Sequence, residues 1–381
     1  MSSGSPRGRG FTPPPYPYDR LDPLKALAAA HEGGIVDLSV GTPCDPPSAA
    51  VVTALGASGA EAGYPFAVGS PAFRGAAAAW LQRRFGVDVE PAHVAACVGT
   101  KEFVASVPHL LGLREPDKDT VLYPAVSYPT YAMGAVLAGC RAVPVAVSVD
   151  EGWHLDLSSI DDGDAARALC LWVNTPANPT GAVDDLEAAA SWGRAHGVPV
   201  VSDECYVEFT WSGPGHTIVE YGLEGTVAVH SLSKRSNMAG LRAGFYAGDA
   251  ELVRYLSEVR KHAGLLMPGP VQLAAAVALE DDAHVQEQRE RYRERLDLLR
   301  AAFADAGVDV PAPEGGFCLW VPAPGGDAWA FTERLAKEAG ILVSPGEFYG
   351  AKGAEHVRAA VVQPTAKLEA AAERLRNIPS W

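Results

Sequence analysis

The sequence predicts an α/β fold, with a large domain built on a mostly parallel sheet covered by helices on both faces and a smaller α+β domain beside it. Three observations carry this reading. From about residue 45, short β-branched apolar runs alternate with helical stretches, the pattern of strands joined by crossover helices. A long helical stripe follows, and after it comes a second, shorter series of strands and helices. The length of 381 residues suits two domains, or one large domain with a companion, since domains usually run to roughly 100–200 residues.

Residues 1–20 are rich in Gly, Ser and Pro and end in 12-TPPPYPYD-19. Proline fixes φ and disfavours helix in the residue before it, so an extended arm is expected over 1–20. Strands are expected at 93–99, 120–124, 142–147, 168–174, 198–204 and 226–231, with helices at 72–86, 102–112, 129–140 and 184–197. Over 283–307, Val285, Tyr292, Leu296, Leu299 and Phe303 recur at spacings of 7, 4, 3 and 4, one apolar stripe on a long helix whose Glu and Arg cover the other faces. Short strands at 316–322, 341–346 and 356–363 and helices at 327–340 and 366–377 complete the smaller unit.

The 46 acidic and 31 basic residues leave a net charge of −15. That balance argues against a nucleic-acid partner, because such affinity depends on Lys and Arg neutralising phosphates, but it leaves room for one basic pocket. The N-terminal MSSGSPRGRG has no apolar stretch of about 7–15 residues behind its arginines, and no run reaches the roughly 20 apolar residues of a membrane span. A cytoplasmic protein with no membrane partner is expected. Cys44, Cys97, Cys140, Cys170, Cys205 and Cys318 are scattered without a CxxC, which predicts reduced thiols and no metal site.

Three polar segments stand at strand ends: 174-NTPANPTG-181, 202-SDECY-206 and 231-SLSKRSNMAGLRAG-244. Such residues line the crevice in which open α/β sheets bind ligands. Lys234 follows an apolar strand and stands among Ser231, Ser233 and Arg235, where desolvation and like charge lower an ammonium pKa. An amine kept partly neutral can form an imine with an aldehyde, although a loop lysine taken alone is far more often a solvated surface charge. Asp203 lies within an apolar strand, and a buried carboxylate needs a cationic or hydrogen-bonding partner. A pyridinium nitrogen would supply one, and Asp beneath the ring nitrogen with a Lys Schiff base is the pairing of pyridoxal phosphate sites; capping of the following turn is the other reading of Asp203.

The ordered set Tyr64 in YP, GTK at 99–101, YPTY at 128–131, NPTG at 178–181, DECY at 203–206, SLSK at 231–234, Arg242 and Arg358 resembles the class I/II aminotransferases of the fold-type I pyridoxal phosphate family. The likeness runs from about Pro15 to the C-terminus. It implies a mostly parallel seven-stranded sheet, with 21–44 as the N-terminal part of the small domain, 45–262 as the large cofactor-binding domain and 263–381 as the C-terminal small domain. It also implies that Lys234 binds the cofactor aldehyde and shuttles a proton, that Asp203 pairs with the ring nitrogen, that Asn178 and Tyr206 hydrogen-bond the phenolate oxygen, and that Tyr128 stacks on the ring. Gly99, Thr100 and Lys101, at the start of a helix, would bind the cofactor phosphate with Ser231, Arg242 and, with a weaker claim, Ser233. Tyr64 would reach the phosphate of a neighbouring subunit, making a homodimer with shared active sites. Arg358, with Gly41 and Asn178 beside it, would bind the substrate carboxylate.

The stretches 35-IVDLSVGTPCDPP-47, 98-VGTKE-102, 230-HSLSKRSNMAGLRAG-244, 258-EVRKHAGLLMPGPVQ-272 and 341-ILVSPGEFYG-350 look like the actinobacterial N-succinyldiaminopimelate aminotransferases. Leu241, Phe317, Ala177 and Cys44 depart from that subgroup, which has Tyr, Leu, Ser and an aliphatic residue there. The resemblance implies transfer of an amino group between glutamate and 2-oxoglutarate on one side and N-succinyl-LL-2,6-diaminopimelate on the other, in lysine and diaminopimelate biosynthesis. Other amino acids (aspartate, alanine or aromatic), or lyase chemistry on the same scaffold, are the alternatives. A non-enzymatic binding module is disfavoured by the presence of both Lys234 and Asp203. Arg260, Lys261 and Lys101 are candidates for the distal end of the substrate.

Overall fold

The computed structural model describes residues 11–378. Its centre is a seven-stranded sheet of β1 (Val94–Cys97), β2 (Thr120–Pro124), β3 (Arg141–Val145), β4 (Ala168–Asn174), β5 (Val200–Asp203), β6 (Thr226–Ser231) and β7 (Gly244–Gly248), in the order β1-β7-β6-β5-β4-β2-β3. The β2-β3, β2-β4, β4-β5 and β5-β6 pairs are parallel, and β7 runs antiparallel to both of its neighbours. Every residue of β4 and β6 is buried, which is why these strands read as continuous apolar runs rather than alternating ones. Alternate residues feed two cores. Leu171, Val173 and Val200 pack with Phe73 and Trp80 on one face, whereas Trp172 and Val201 pack with Phe103 and Tyr131 on the other.

The antiparallel β7 is a strand that the sequence pattern did not mark. Its large side chains are two, Phe245 against Phe73 and Trp80 on one face and Tyr246 stacked on Phe103 at 4.4 Å on the other. The flanking glycines have a steric reason. A Cβ on Gly244 would stand 3.0 Å from Cys97 Sγ and from the His230 carbonyl, and one on Gly248 would stand 2.0 Å from the Thr226 carbonyl.

The small domain holds an antiparallel sheet of β8 (Cys318–Pro322), β9 (Ser344–Pro345) and β10 (His356–Ala360), with β10 in the middle. Helices Ala283–Asp305, Ala328–Ala339 and Thr365–Arg376 pack around it. All five stripe residues of the long helix are buried. Val36–Asp37 pairs in parallel with Ile341–Leu342, so the N-terminal segment joins this layer.

Two expectations are corrected. The arm is not extended throughout: Pro17–Leu21 forms a 3-10 turn that runs into helix Asp22–Ala29, because proline is tolerated at the first helical positions where no N–H is needed. The part expected over residues 1–10 lies outside the described residues. The division at 262/263 also falls too early. Helix Gly269–Glu280 packs against helices Ala49–Gly56 and Pro71–Phe85, and its Val271, Ala274 and Ala275 belong to the core of the central sheet. Among the described residues no helix is long and apolar enough to cross a membrane, and no group of side chains is placed to hold a metal ion. All six cysteines are free.

Candidate active site

A cavity of about 540 Å³ opens beyond the carboxyl ends of β1, β4, β5 and β6. Lys234 sits in the single turn Leu232–Arg235 that follows β6, a turn started by Ser231 Oγ accepting from the Ser233 N–H at 3.1 Å. Its Nζ donates to the Gly41 carbonyl and lies 5.7 Å from the Phe317 ring centre. Burial pushes the ammonium down to about 8, and Arg358 and Arg242 add like charge.

Asp203 ends β5 with its carboxylate buried. Oδ2 accepts from Tyr131 OH at 2.9 Å and Oδ1 from the Cys205 N–H at 3.2 Å. Burial raises its pKa, and these two neutral donors only partly offset that. Asn174, the last residue of β4, donates to the Asp203 carbonyl at 2.9 Å and accepts from the Asn178 N–H at 2.8 Å, tying the NPTG loop to the strand that carries the acid.

Arg358 reaches the same cavity from β10. It donates to Asn178 Oδ1 at 2.9 Å, to the Ser39 carbonyl at 2.6 Å and to Tyr18 OH at 3.4 Å, and its charge lies 5.0 Å from the Tyr349 ring. It is 3% exposed and has no carboxylate partner among the described residues; its Nε has no hydrogen-bond partner there either. The phenols of Tyr18 and Tyr349 outweigh its burial and hold it firmly protonated. Tyr206 is buried edge-on against Phe317 at 5.1 Å, and burial raises its phenol pKa.

At the other end, Gly99 caps helix Thr100–Arg114 at φ 74°, and a Cβ there would stand 2.2 Å from Arg242 Nη2. Arg242 takes a left-handed backbone (φ 57°) and donates to the Ala239 carbonyl at 2.8 Å. Thr100, Lys101, Ser231 and Ser233 line the cavity with it.

The structure thus gathers Gly41, Thr100, Lys101, Tyr128, Asn178, Asp203, Tyr206, Ser231, Ser233, Lys234, Arg242 and Arg358 around one cavity, with Gly99 against Arg242. Tyr64 is outside it and fully exposed. Two distal-group candidates fall away. Arg260 is buried in a two-pronged ion pair with Glu102 (2.6 and 2.8 Å), and Lys261 is an exposed side chain 4.0 Å from Glu258. Sequence reasoning missed Tyr16, Tyr18, Asn174 and Cys205 as lining residues, and missed that Tyr131 holds Asp203. Asn174 was visible at the head of NTPANP, whereas nothing in a Pro-rich arm marks Tyr16 and Tyr18 as cavity residues.

These features suit a phosphorylated pyridine aldehyde. A buried carboxylate lacks a cation, an amine is held partly neutral, and an arginine, two serines and a helix start meet where a side chain on Gly99 would not fit. Residues 33–375 match the family of class I and II aminotransferases. The chain belongs to that family. This aminotransferase is pyridoxal phosphate dependent, as the family is. It is 42% identical over 370 residues to a 4-dedimethylamino-4-oxo-anhydrotetracycline transaminase of Streptomyces rimosus, covering 95% of this chain and 99% of that one. It is 36% identical over 376 residues to an LL-diaminopimelate aminotransferase of Desulforudis audaxviator, covering 96% and 95%. Among solved structures, a probable N-succinyldiaminopimelate aminotransferase of Thermus thermophilus superposes with a TM-score of 0.85 at 31% identity, covering 94% of this chain and 99% of that one.

Proposed function

We propose that this aminotransferase exchanges an amino group between glutamate/2-oxoglutarate and N-succinyl-LL-2,6-diaminopimelate, a step of lysine and diaminopimelate biosynthesis. The observation that carries this reading is a pair of cavity cations, Arg358 and Lys101, that have no carboxylate partner among the described residues. Arg358 lies deep in the cavity, and Lys101 lies in its lining, where among the described residues the phenols of Tyr16 and Tyr128 are the groups around its ammonium. A substrate with an α-carboxylate and a second anionic end satisfies both. The diaminopimelate substrates in the names of the Desulforudis and Thermus proteins support it.

The cofactor, when bound, supplies an aldehyde that captures the amine and a ring that accepts the electrons released at the substrate Cα. The chain's own residues do the rest. Lys234 takes the proton from Cα, a task for which an amine near pKa 8 is suited at neutral pH. Asp203 holds the ring nitrogen protonated, and Tyr131 holds Asp203. Asn178 and Tyr206 would donate to the phenolate oxygen, and Tyr128 would pack on the ring. Ser231, Ser233, Arg242 and the N–H groups of Gly99, Thr100 and Lys101 hold the phosphate. Arg358, with Gly41 beside it, would bind the α-carboxylate and so orient the substrate Cα within the cavity that Lys234 lines. We further propose a homodimer in which the exposed Tyr64 serves the neighbouring site, and a cytoplasmic setting, with which six unpaired thiols agree.

A second reading has its own support. The relative with 42% identity is named for an oxo-tetracycline substrate, and Tyr16 and Tyr18, with ring centres 5.5 Å apart, give the cavity an aromatic wall suited to a flat ring system. A screen of single-turnover reactions decides. Conversion by N-succinyl-LL-diaminopimelate well above aspartate and alanine supports the first reading, and equal rates among them refute it. Steady release of ammonia or CO₂ identifies a lyase instead.

A further inference from the structure

One buried titratable pair takes no part in the chemistry above. Glu204 follows Asp203, and His230 precedes Ser231. Asp203 pairs with Val229 across β5 and β6, and the Glu204 N–H donates to the Val229 carbonyl at 2.9 Å, so Glu204 and His230 stand abreast on neighbouring strands. The imidazole of His230 lies among Trp80, Phe85 and Phe245, whose ring centres are 4.9, 6.4 and 4.9 Å from it. Glu204 Oε2 and His230 Nε2 are 3.3 Å apart, outside hydrogen-bond geometry as placed, and among the described residues both are buried polar atoms without a hydrogen bond. Glu204 Oε1 accepts from the Ile218 N–H at 2.8 Å. Both residues are 1–2% exposed.

An apolar pair would fill this space without the desolvation cost of a buried acid. The polar pair instead brings two otherwise unpaired polar atoms to 3.3 Å of each other, one on the residue that follows the acid and one on the residue that precedes the serine, so that a proton placed between them would join the two strands. We infer that Glu204 and His230 share one proton as a cross-strand clamp, and that as positioning residues they set the spacing of Asp203 and Ser231, and hence the register of the cofactor's ring nitrogen against its phosphate. The surroundings agree with a single shared proton. Burial pushes Glu204 up to about 8, with Glu220 adding to the rise and Ser202 and Thr217 opposing it, and burial with Arg235 pushes His230 down to about 3. At neutral pH the acid therefore keeps the proton and the imidazole accepts it.

The inference rests on the assignment of Asp203 and Ser231 to the cofactor, so Asp203→Asn is tested alongside. Cofactor-free protein is titrated with pyridoxal phosphate, and the pH midpoint of the visible band of the reconstituted protein is measured together with the melting temperature before and after loading. Glu204→Leu and His230→Phe each weaken cofactor binding by about tenfold and displace the band's pH midpoint. The double variant is no worse than the weaker-binding single one, as expected for two residues acting as a unit. Glu204→Gln, which still donates to the imidazole, stays within about threefold of the parent and keeps the test open if the apolar variants do not fold. In that case a tenfold loss in Glu204→Gln overturns the shared-proton contact. Lower melting temperatures with unchanged cofactor affinity and band midpoint, while Asp203→Asn is impaired, make the pair merely structural and overturn the clamp alone. Undisturbed cofactor binding in Asp203→Asn overturns the ring-nitrogen assignment and the clamp with it.

Discussion

Truncating Arg358 to Ala tests the assignment of the substrate carboxylate most directly. The guanidinium is 3% exposed, and its acceptors are Asn178 Oδ1, the Ser39 carbonyl and Tyr18 OH, so a bound carboxylate would meet little competition from water. Hydrogen bonds to charged groups contribute about 1.5–3 kcal/mol each. Two of them to one carboxylate amount to roughly 3–6 kcal/mol, or about 10²–10⁴ in kcat/KM at 1.36 kcal/mol per factor of ten. Arg358→Lys keeps the charge and loses the two-pronged grip, for a loss of about 10–100-fold. Truncation also strips Asn178 and Ser39 of a donor, so some lowering of stability is expected, and a rate comparison must separate the two effects. Single-turnover reactions with glutamate and with 4-aminobutyrate, which has no α-carboxylate, do so. Glutamate should fall by the full factor and 4-aminobutyrate by less than about threefold. Equal losses for both amines would refute the assignment, as would an Arg358→Ala protein that no longer binds pyridoxal phosphate.

The amine of Lys234 in the cofactor-free protein should react with aldehydes with a pH midpoint near 8, and a midpoint above 10 would mean that burial does not tune it. Because its charged form is disfavoured in the fold, the unfolded chain binds more protons between about pH 8 and 10.5; its contribution to stability therefore rises with pH across that window, and a pH-independent difference from Lys234→Met in denaturant unfolding would contradict this. Gly99→Ala should weaken pyridoxal phosphate binding by about tenfold or more, since it adds strain at φ 74° and drives a Cβ into Arg242, and unchanged reconstitution would show that Arg242 does not serve the phosphate. Asp45→Asn should lower unfolding free energy by about 2–4 kcal/mol at pH 7, because it breaks a two-pronged pair with Arg295 at 2.6 and 2.9 Å that is nearly closed to water. Burial opposes ionisation of Asp45, yet Arg295 and Gln288 outweigh it and hold the pKa below 3.8, so this contribution is complete above that value and lost as pH falls through the lowered pKa.

What could be read beforehand follows from where burial is complete. β4 and β6 were expected at 168–174 and 226–231, and their residues are buried throughout, so tertiary packing and local pattern ask for the same side chains. β7 escaped notice because its first and last residues are glycines required by Cys97, His230 and Thr226, contacts that exist only once the neighbouring strands are in place. The side chains that come together at strand ends were legible as types: a lysine after an apolar strand, an acid inside one. Roles that depend on a distant segment were not. Lys101 and Arg260 looked alike as candidates for the distal end of the substrate, and only folding separates them, since helix Ala250–His262 brings Arg260 onto Glu102 while the arm brings Tyr16 onto Lys101.

The charge distribution follows the same logic. Lys101, Lys234, Arg242 and Arg358 line the cavity as bases against a single lining carboxylate, Asp203, in a chain whose net charge is −15. At physiological salt, charges act over roughly 8 Å, so the acidic exterior neither draws in an anionic substrate nor masks the pocket's cations once it has entered. Selection among anions is therefore a matter of where those cations are fixed. Arg242 is anchored in the large domain by its own left-handed turn and the Ala239 carbonyl. Arg358 is carried by β10 of the small domain and held by Ser39, whose carbonyl also accepts from Ser344 Oγ of β9. A ligand with one anion on each arginine would span both domains. Its affinity then depends on their relative placement, which no single side chain in the cavity sets.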